Sequence, residues 1–164
     1  MLQKNLLSLF IILFFCFGAC AQKYWTGSAG DGLWNSPTNW NPAGVPGNSD
    51  DVVLDNLNGT SVSYNVTLPN TSVTINTIRI TPNSNNIIYL ILPPTNLNHP
   101  ALNFNGNGNV LVIDKNGVFK NSSDSPSSSP DVISIGITDT IRLNNGCNYI
   151  HNNSRSLPYL VDKL

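Results

Sequence analysis

The stretch "SVSYNVTLPNTSVTINTIRIT", residues 61 to 81, decides the fold. In its first half Val62, Tyr64, Val66 and Leu68 fall on one face, and Ser61, Ser63, Asn65 and Thr67 on the other. After Pro69-Asn70, Val73 and Ile75 share a face, and Ile78 and Ile80 resume the alternation past Asn76-Thr77. A period of two, rich in β-branched residues and broken by turn formers, is the pattern of short strands. It continues through "NIIYLIL" (86–92), "ALNFNG" (101–106), "NVLVIDKNGVF" (109–119) and "DVISIGITDTIRL" (131–143). "SSDSPSSSP" (122–130) reads as a loop or bulging insertion.

Composition agrees. The acids are nine Asp with no Glu, and Asn, Ser, Thr and Gly take the places that Glu, Lys and Ala fill in helical chains. Helix is nearly excluded. "NTIRIT" (76–81) and "DTIRLN" (139–144) share a Thr-Ile-Arg-apolar core, as expected when one unit is stacked repeatedly. In each copy the Arg, Arg79 or Arg142, is expected outward and its apolar neighbours inward. Asn recurs at strand ends, where it tolerates left-handed backbone and can bond to an identical amide one layer away. Together these point to a stacked parallel β-solenoid. An antiparallel β-sandwich gives the same alternation and is the alternative architecture.

A solenoid exposes an apolar cross-section and unpaired backbone at its first coil, so it needs a cap. "KYWTGSAGDGLWNSPTNWNPAGVPGNSDDVVLDN" (23–56) holds all three tryptophans. Tyr24, Trp25, Trp34 and Trp40 are large enough to cover that cross-section, at roughly 150–250 Å² each. Asp50 to Leu54 is the expected first strand. Ahead of it, Met1–Asn5 carries one cation, Leu6–Phe17 is almost wholly apolar, and Ala19-Cys20-Ala21 offers a small-residue cleavage site. That is the form of a secretory signal. The expected organisation is a signal peptide at 1–21, a Trp/Gly-rich cap at 22–49 and a solenoid at 50–164. Lipid anchoring through Cys20 is the alternative to free secretion. The mature 143 residues are enough for one domain. They hold Cys147 as the only mature cysteine, so no disulfide framework is expected.

The order Trp25-x-Gly27, Trp34, Asn39-Trp40, Gly44-x-Pro46, Asp50-Asp51-Val52-x-Leu54 resembles the start of many secreted bacterial β-solenoid proteins. These are autotransporter-like repeat proteins and the large exported surface proteins of Bacteroidetes. Asn145–Asn153 is similar to a Gly-Gly-x-Tyr-x-His-Asn element of the same group, with Cys147 departing from its usual small residue. The resemblance implies a right-handed parallel β-helix with no assigned catalysis, at the cell surface or in the medium. It also implies a solenoid that continues, so the apolar end "SRSLPYLVDKL" is expected to be a truncation that leaves an edge open to self-association. Asp139-Thr140-Ile141 is similar to a short O-glycosylation motif of that group.

The mature chain has seven cations against nine aspartates, which gives no electrostatic case for nucleic acid. Exposed indoles at Trp25, Trp34 and Trp40 could stack on sugar rings, with Asp31, Asn35 and Asn39 bonding to hydroxyls; a buried cap is the reading preferred. Arg79 and Arg142 could join them as ligand-binding residues on one outer face. A polysaccharide lyase or hydrolase needs clustered carboxylates. Here Asp114, Asp124, Asp131 and Asp139 sit singly, and adjacent Asp50 and Asp51 point to opposite faces of a strand. No catalytic residue is assigned. Asp114-x-Asn116-Gly117 lacks most of a calcium loop, and Cys147 with His151 is two ligands short of a zinc site, so no metal or cofactor is expected. Sequons stand at Asn58, Asn65, Asn70, Asn121 and Asn152. The expected function is that of a non-catalytic scaffold or adhesin-like segment contacting extracellular polysaccharide or a surface protein. A carbohydrate-binding module is the alternative.

Overall fold

The computed structural model describes residues 21–83, 85–124 and 131–152. The expected signal up to residue 20, and the C-terminal run from residue 153, lie outside these residues. The strands are β1 (Gln22–Trp25), β2 (Trp40–Asn41), β3 (Asp51–Asp55), β4 (Tyr64–Thr67), β5 (Val73–Ile75), β6 (Thr77–Thr81) and β7 (Ile88–Leu92). There follow β8 (Leu102–Phe104), β9 (Asn109–Ile113), β10 (Gly117–Asn121), β11 (Ile133–Ser134), β12 (Thr140–Leu143) and β13 (Asn148–His151).

Each strand pairs with its counterpart one coil away. The orders are β12-β9-β6-β3-β1-β2, β13-β10-β7-β4 and β11-β8-β5. The chain is a β-solenoid of about four turns with parallel strands. Only β1 with β2 is antiparallel among the described pairs, which overturns the sandwich alternative.

The alternation read from the sequence supplies the core. Val66, Leu90, Phe119 and Tyr149 form one inward column of the four-stranded sheet. Val52, Ile78, Leu111 and Ile141 form one in the six-stranded sheet. The third sheet turns Val73, Leu102 and Ile133 inward. Apart from Tyr149, which packs half-buried against the core, all of these are buried. Removing such side chains from water at about 25 cal/mol per Å² is the main stabilising force. The alternation does not hold everywhere: in β9 both faces are buried, and Ile137, past the end of β11, is 91% exposed. Val62 was expected on the inner face but is 61% exposed, because β4 begins at Tyr64 and Val62 belongs to the corner before it.

The corners are tied by polar side chains, though not as ladders of like amides. Asn76 Nδ2 and Thr77 Oγ1 donate to Asp51 Oδ1 at 2.7 and 2.6 Å. Asn96 Nδ2, fully buried, donates to the carbonyls of Pro69 and Thr71 at 2.8 and 3.0 Å. Asn thus caps backbone carbonyls and carboxylates of the coil beneath. Its left-handed use is confined, among described non-glycine residues, to Asn116 at φ 66°. That residue makes the Asp114–Gly117 rung turn, closed by Gly117 N–H to Asp114 O at 2.9 Å.

Candidate functional site: the sealed end and the outward arginine column

The cap is part of the sheet rather than an appendage. The first strand is β1, ahead of the expected start at Asp50, and it lies parallel on β3 with Tyr24 beside Val53. Trp25 pairs with Trp40 of β2. The three indoles then interlock: Trp25 and Trp40 centroids are 5.0 Å apart at 83°, and Trp34 and Trp40 are 4.8 Å apart at 69°. Edge-to-face packing of this kind adds to what burial alone supplies. Tyr64 stacks on Trp25 at 6.1 Å and donates its hydroxyl to Asp55 O at 2.8 Å. Burial, with the Asp55 charge second, raises the Tyr64 phenol far above the ordinary tyrosine value.

Trp25, Trp34 and Trp40 are only 1%, 1% and 2% exposed. The sugar-stacking role considered for them therefore has no indole face to use, and they are assigned to the core. Asp31 and Asn39 are likewise spent internally. Asn39, fully buried, accepts from Ala29 N–H at 2.8 Å and donates to Asp31 Oδ1 at 2.8 Å and Leu33 O at 2.9 Å. Bonds from the Ser36 hydroxyl, the Leu33 N–H and Asn39 hold the Asp31 carboxyl below its ordinary value. Asn35 is exposed.

Lys23, which the sequence marks only as a charge, has a structural role. It aligns with inward Val52, is buried, and points its ammonium at the carbonyls of Pro42, Ala43 and Gly44 at 2.9, 3.3 and 3.3 Å. It pins the loop after β2 across the end. Gly27 at φ 64° and Gly32 at φ 68° supply the left-handed turns that the intervening loop needs.

Arg79 and Arg142 do share an outer face. The register runs Tyr24, Val53, Arg79, Val112, Arg142 along one outward column. With coils about 4.8 Å apart, the two arginines start about 10 Å from each other. Both are exposed, while outward Val53 and Val112 are only 7% and 5% exposed. Tyr24, Arg79 and Arg142 flank these valines in the column, the placement in which long amphipathic stems shield apolar neighbours.

Two residues not foreseen as partners connect the guanidiniums. Arg79 Nη1 lies 3.7 Å from Asp114 Oδ2, Asn144 Nδ2 donates to Asp114 Oδ1, and Arg142 Nε donates to Asn144 Oδ1 at 2.9 Å. The signal was present: Asp114 and Asn144 each follow the last inward residue of a strand, Ile113 and Leu143, on coils aligned with the two Thr-Ile-Arg copies. The result is a surface array of donors and an acceptor spanning three coils. Its ion pair is solvent-exposed and contributes little to stability.

The remaining candidates fall into structural roles. Asp51 bonds to Asn76 and Thr77, Asp55 to Leu57 N–H and Asn58, Asp50 to Gly47 N–H, and Asp139 to Gly108 N–H. In the Asp139-Thr140-Ile141 motif, Asp139 is buried and Thr140 exposed. Cys147, Tyr149 and His151 do share the inner side, alternating with exposed Asn148 and Ile150. Cys147 and His151 are about 13 Å apart at strand spacing with Tyr149 between, too far to hold one ion. Burial raises the Cys147 thiol and the Tyr149 phenol. Among the described residues no group of three or more His, Cys, Asp or Glu is placed to hold a metal. Asn65, Asn70 and Asn152 of the sequons are exposed, and Asn121 is buried. No described helix is long and apolar enough to cross a membrane. Neither a family model, nor a curated protein, nor a solved structure matches the chain.

Proposed function

We propose that this chain is a non-catalytic, exported β-solenoid, acting as a scaffold or adhesin-like segment in the medium or at the outer cell surface. Its contact face is the Arg79–Arg142 column, and the partner is extracellular polysaccharide or a surface protein. One observation carries the reading: the continuous array Arg79, Asp114, Asn144, Arg142 sets two exposed guanidiniums beside a half-buried carboxylate and amide, and so presents donors beside an acceptor. Hydroxyl-rich polymers are bound by such mixtures, and planar guanidiniums supply paired donors. The engagement of Asp31, Asp50, Asp51, Asp55 and Asp139 in turn and coil bonds supports a non-catalytic reading, since acid–base chemistry needs a carboxyl free to meet substrate.

A glycan-array screen of the mature chain tests the face, with Arg79→Ala and Arg142→Ala beside it. Binding that both variants lose supports the column; binding that neither disturbs moves the contact elsewhere. Release of reducing sugar or unsaturated product from a bound polymer would replace this reading with an enzyme. Among the described residues, β11, β12 and β13 end their sheets on the side away from the tryptophan cluster, which supports edge-to-edge self-association there. A clean monomer by size-exclusion chromatography at all concentrations would remove that part.

A further inference from the structure

The chain contains five Asn-Gly steps, at 58–59, 105–106, 107–108, 116–117 and 145–146. This dipeptide is chemically labile. The glycine nitrogen attacks the asparagine Cγ, the side-chain nitrogen leaves as ammonia, and a five-membered succinimide forms. Water then opens the ring to aspartate or to its β-linked isomer, so the balance is asparagine plus water giving an acid plus ammonia. Glycine favours the step because it has no Cβ to hinder the approach or restrict the backbone. The attack also requires a glycine nitrogen not held in a hydrogen bond and a side chain not pinned elsewhere.

The fold withholds one or both requirements at four of the five steps. Gly106 N–H donates to Asn76 O at 3.0 Å, Gly108 N–H to Asp139 Oδ1 at 2.9 Å, and Gly117 N–H to Asp114 O at 2.9 Å. At the first step Asn58 is held twice by Asp55, through its backbone N–H at 3.1 Å and its Nδ2 at 2.8 Å. Asn145-Gly146 differs. Both residues are exposed, and among the described residues neither the Asn145 side chain nor the Gly146 N–H has a hydrogen-bond partner. The step lies in the turn between β12 and β13, with Gly146 at φ 83°.

We infer that Asn145 is a site of spontaneous deamidation, selected by the fold from five equivalent sequence steps. The product places a carboxylate in a turn that lies against Lys115, whose Cγ would stand 2.9 Å from a Cβ on Gly146. The β-linked isomer also lengthens the backbone of that turn by one atom. The turn is fixed to the coil beneath by Asn116 N–H to Gly146 O at 2.9 Å, and it sets the register of β13 on β10. Lengthening it loosens the last strand of the four-stranded sheet, while the sealed end is untouched.

The test incubates the folded chain at mildly alkaline pH and warm temperature. Conversion at each step is followed by peptide mapping, with isoaspartyl methyltransferase labelling to count the β-linked product. The expected result is conversion at Asn145 several-fold faster than at Asn58, Asn105, Asn107 or Asn116, and comparable rates at all five in denaturant. Asn145→Gln should abolish the leading signal while leaving the fold intact by circular dichroism. Equal rates at all five steps in the folded chain would overturn the inference, as would another step leading. No conversion at Asn145 in the folded chain, with conversion in denaturant, would overturn it equally.

Discussion

The indole N–H of Trp40 donates to the carbonyl oxygen of Trp34 at 2.8 Å, inside a cluster that is almost dry. Two residues six apart in the chain thereby satisfy each other at the one place where the solenoid end would admit water. Trp40→Phe keeps an aromatic ring but orphans the Trp34 carbonyl, and is expected to cost about 1–3 kcal/mol. Trp40→Ala also opens a cavity and should cost about 3–5 kcal/mol. Urea unfolding midpoints of the two variants check the order; equal midpoints for Phe and wild type would show the bond to be idle.

Gly106 lies where one coil crosses another. A Cβ built there would be 2.5 Å from Asn76 O and 3.1 Å from Asn76 C, both backbone atoms that no side-chain rotation can move. Gly106→Ala should therefore destabilise by about 1–3 kcal/mol, as overpacking does. Gly30→Ala is the comparison: nothing stands within 4 Å of its Cβ, and only its φ of 72° resists the change. Thermal unfolding of both separates crowding from backbone strain, with the larger loss expected at Gly106.

Lys23 holds three carbonyls of the loop that closes the capped end. Lys23→Met keeps most of the stem and removes the charge. The expected loss is about 2 kcal/mol, in the range of hydrogen bonds to charged groups. Amide hydrogen exchange should quicken in residues 42–47 first, and unchanged protection there would count against the role.

Tyr64, Cys147 and Tyr149 act on the alkaline side of the pH window and Asp31 on the acid side, and Tyr64 and Asp31 are the two to separate by mutation. The Tyr64 phenol titrates in the fold far above its ordinary value, so its contribution is whole below about pH 10 and is lost as pH rises beyond it. The Asp31 carboxyl lies below its ordinary 3.8, so its contribution is whole above that value and is lost as pH falls through the folded one. Denaturant titrations across pH should show Tyr64→Phe flattening the alkaline limb and Asp31→Asn the acid limb. A wild-type alkaline slope retained by Tyr64→Phe would reassign that limb to another group.

Much of this architecture was legible because alternation is a local property. Val73, Ile75, Ile78 and Ile80 declare their inward side by period alone, and the two Thr-Ile-Arg copies do stand in register two coils apart. The repeat was hard to see as a repeat because its length varies: Val53, Arg79, Val112 and Arg142 follow one another at 26, 33 and 30 residues. Corners absorb the difference, since a loop can lengthen there without disturbing strand register. Val62 shows the same effect, since a corner residue can mimic the alternation of the strand it precedes.

The residues themselves therefore determined an all-β chain of short strands, outward arginines and a tryptophan-rich segment needing burial. Side-chain period and turn chemistry act within a few neighbours and are written in the order of amino acids. Only the tertiary structure decided that neighbouring strands run parallel, that β1 joins the sheet as its leading coil, and that Lys23 caps three carbonyls. It alone linked Arg79 to Arg142 through Asp114 and Asn144. Those outcomes depend on which coil lies over which, and contacts between residues about thirty positions apart are set by the stacking of whole coils rather than by any local preference.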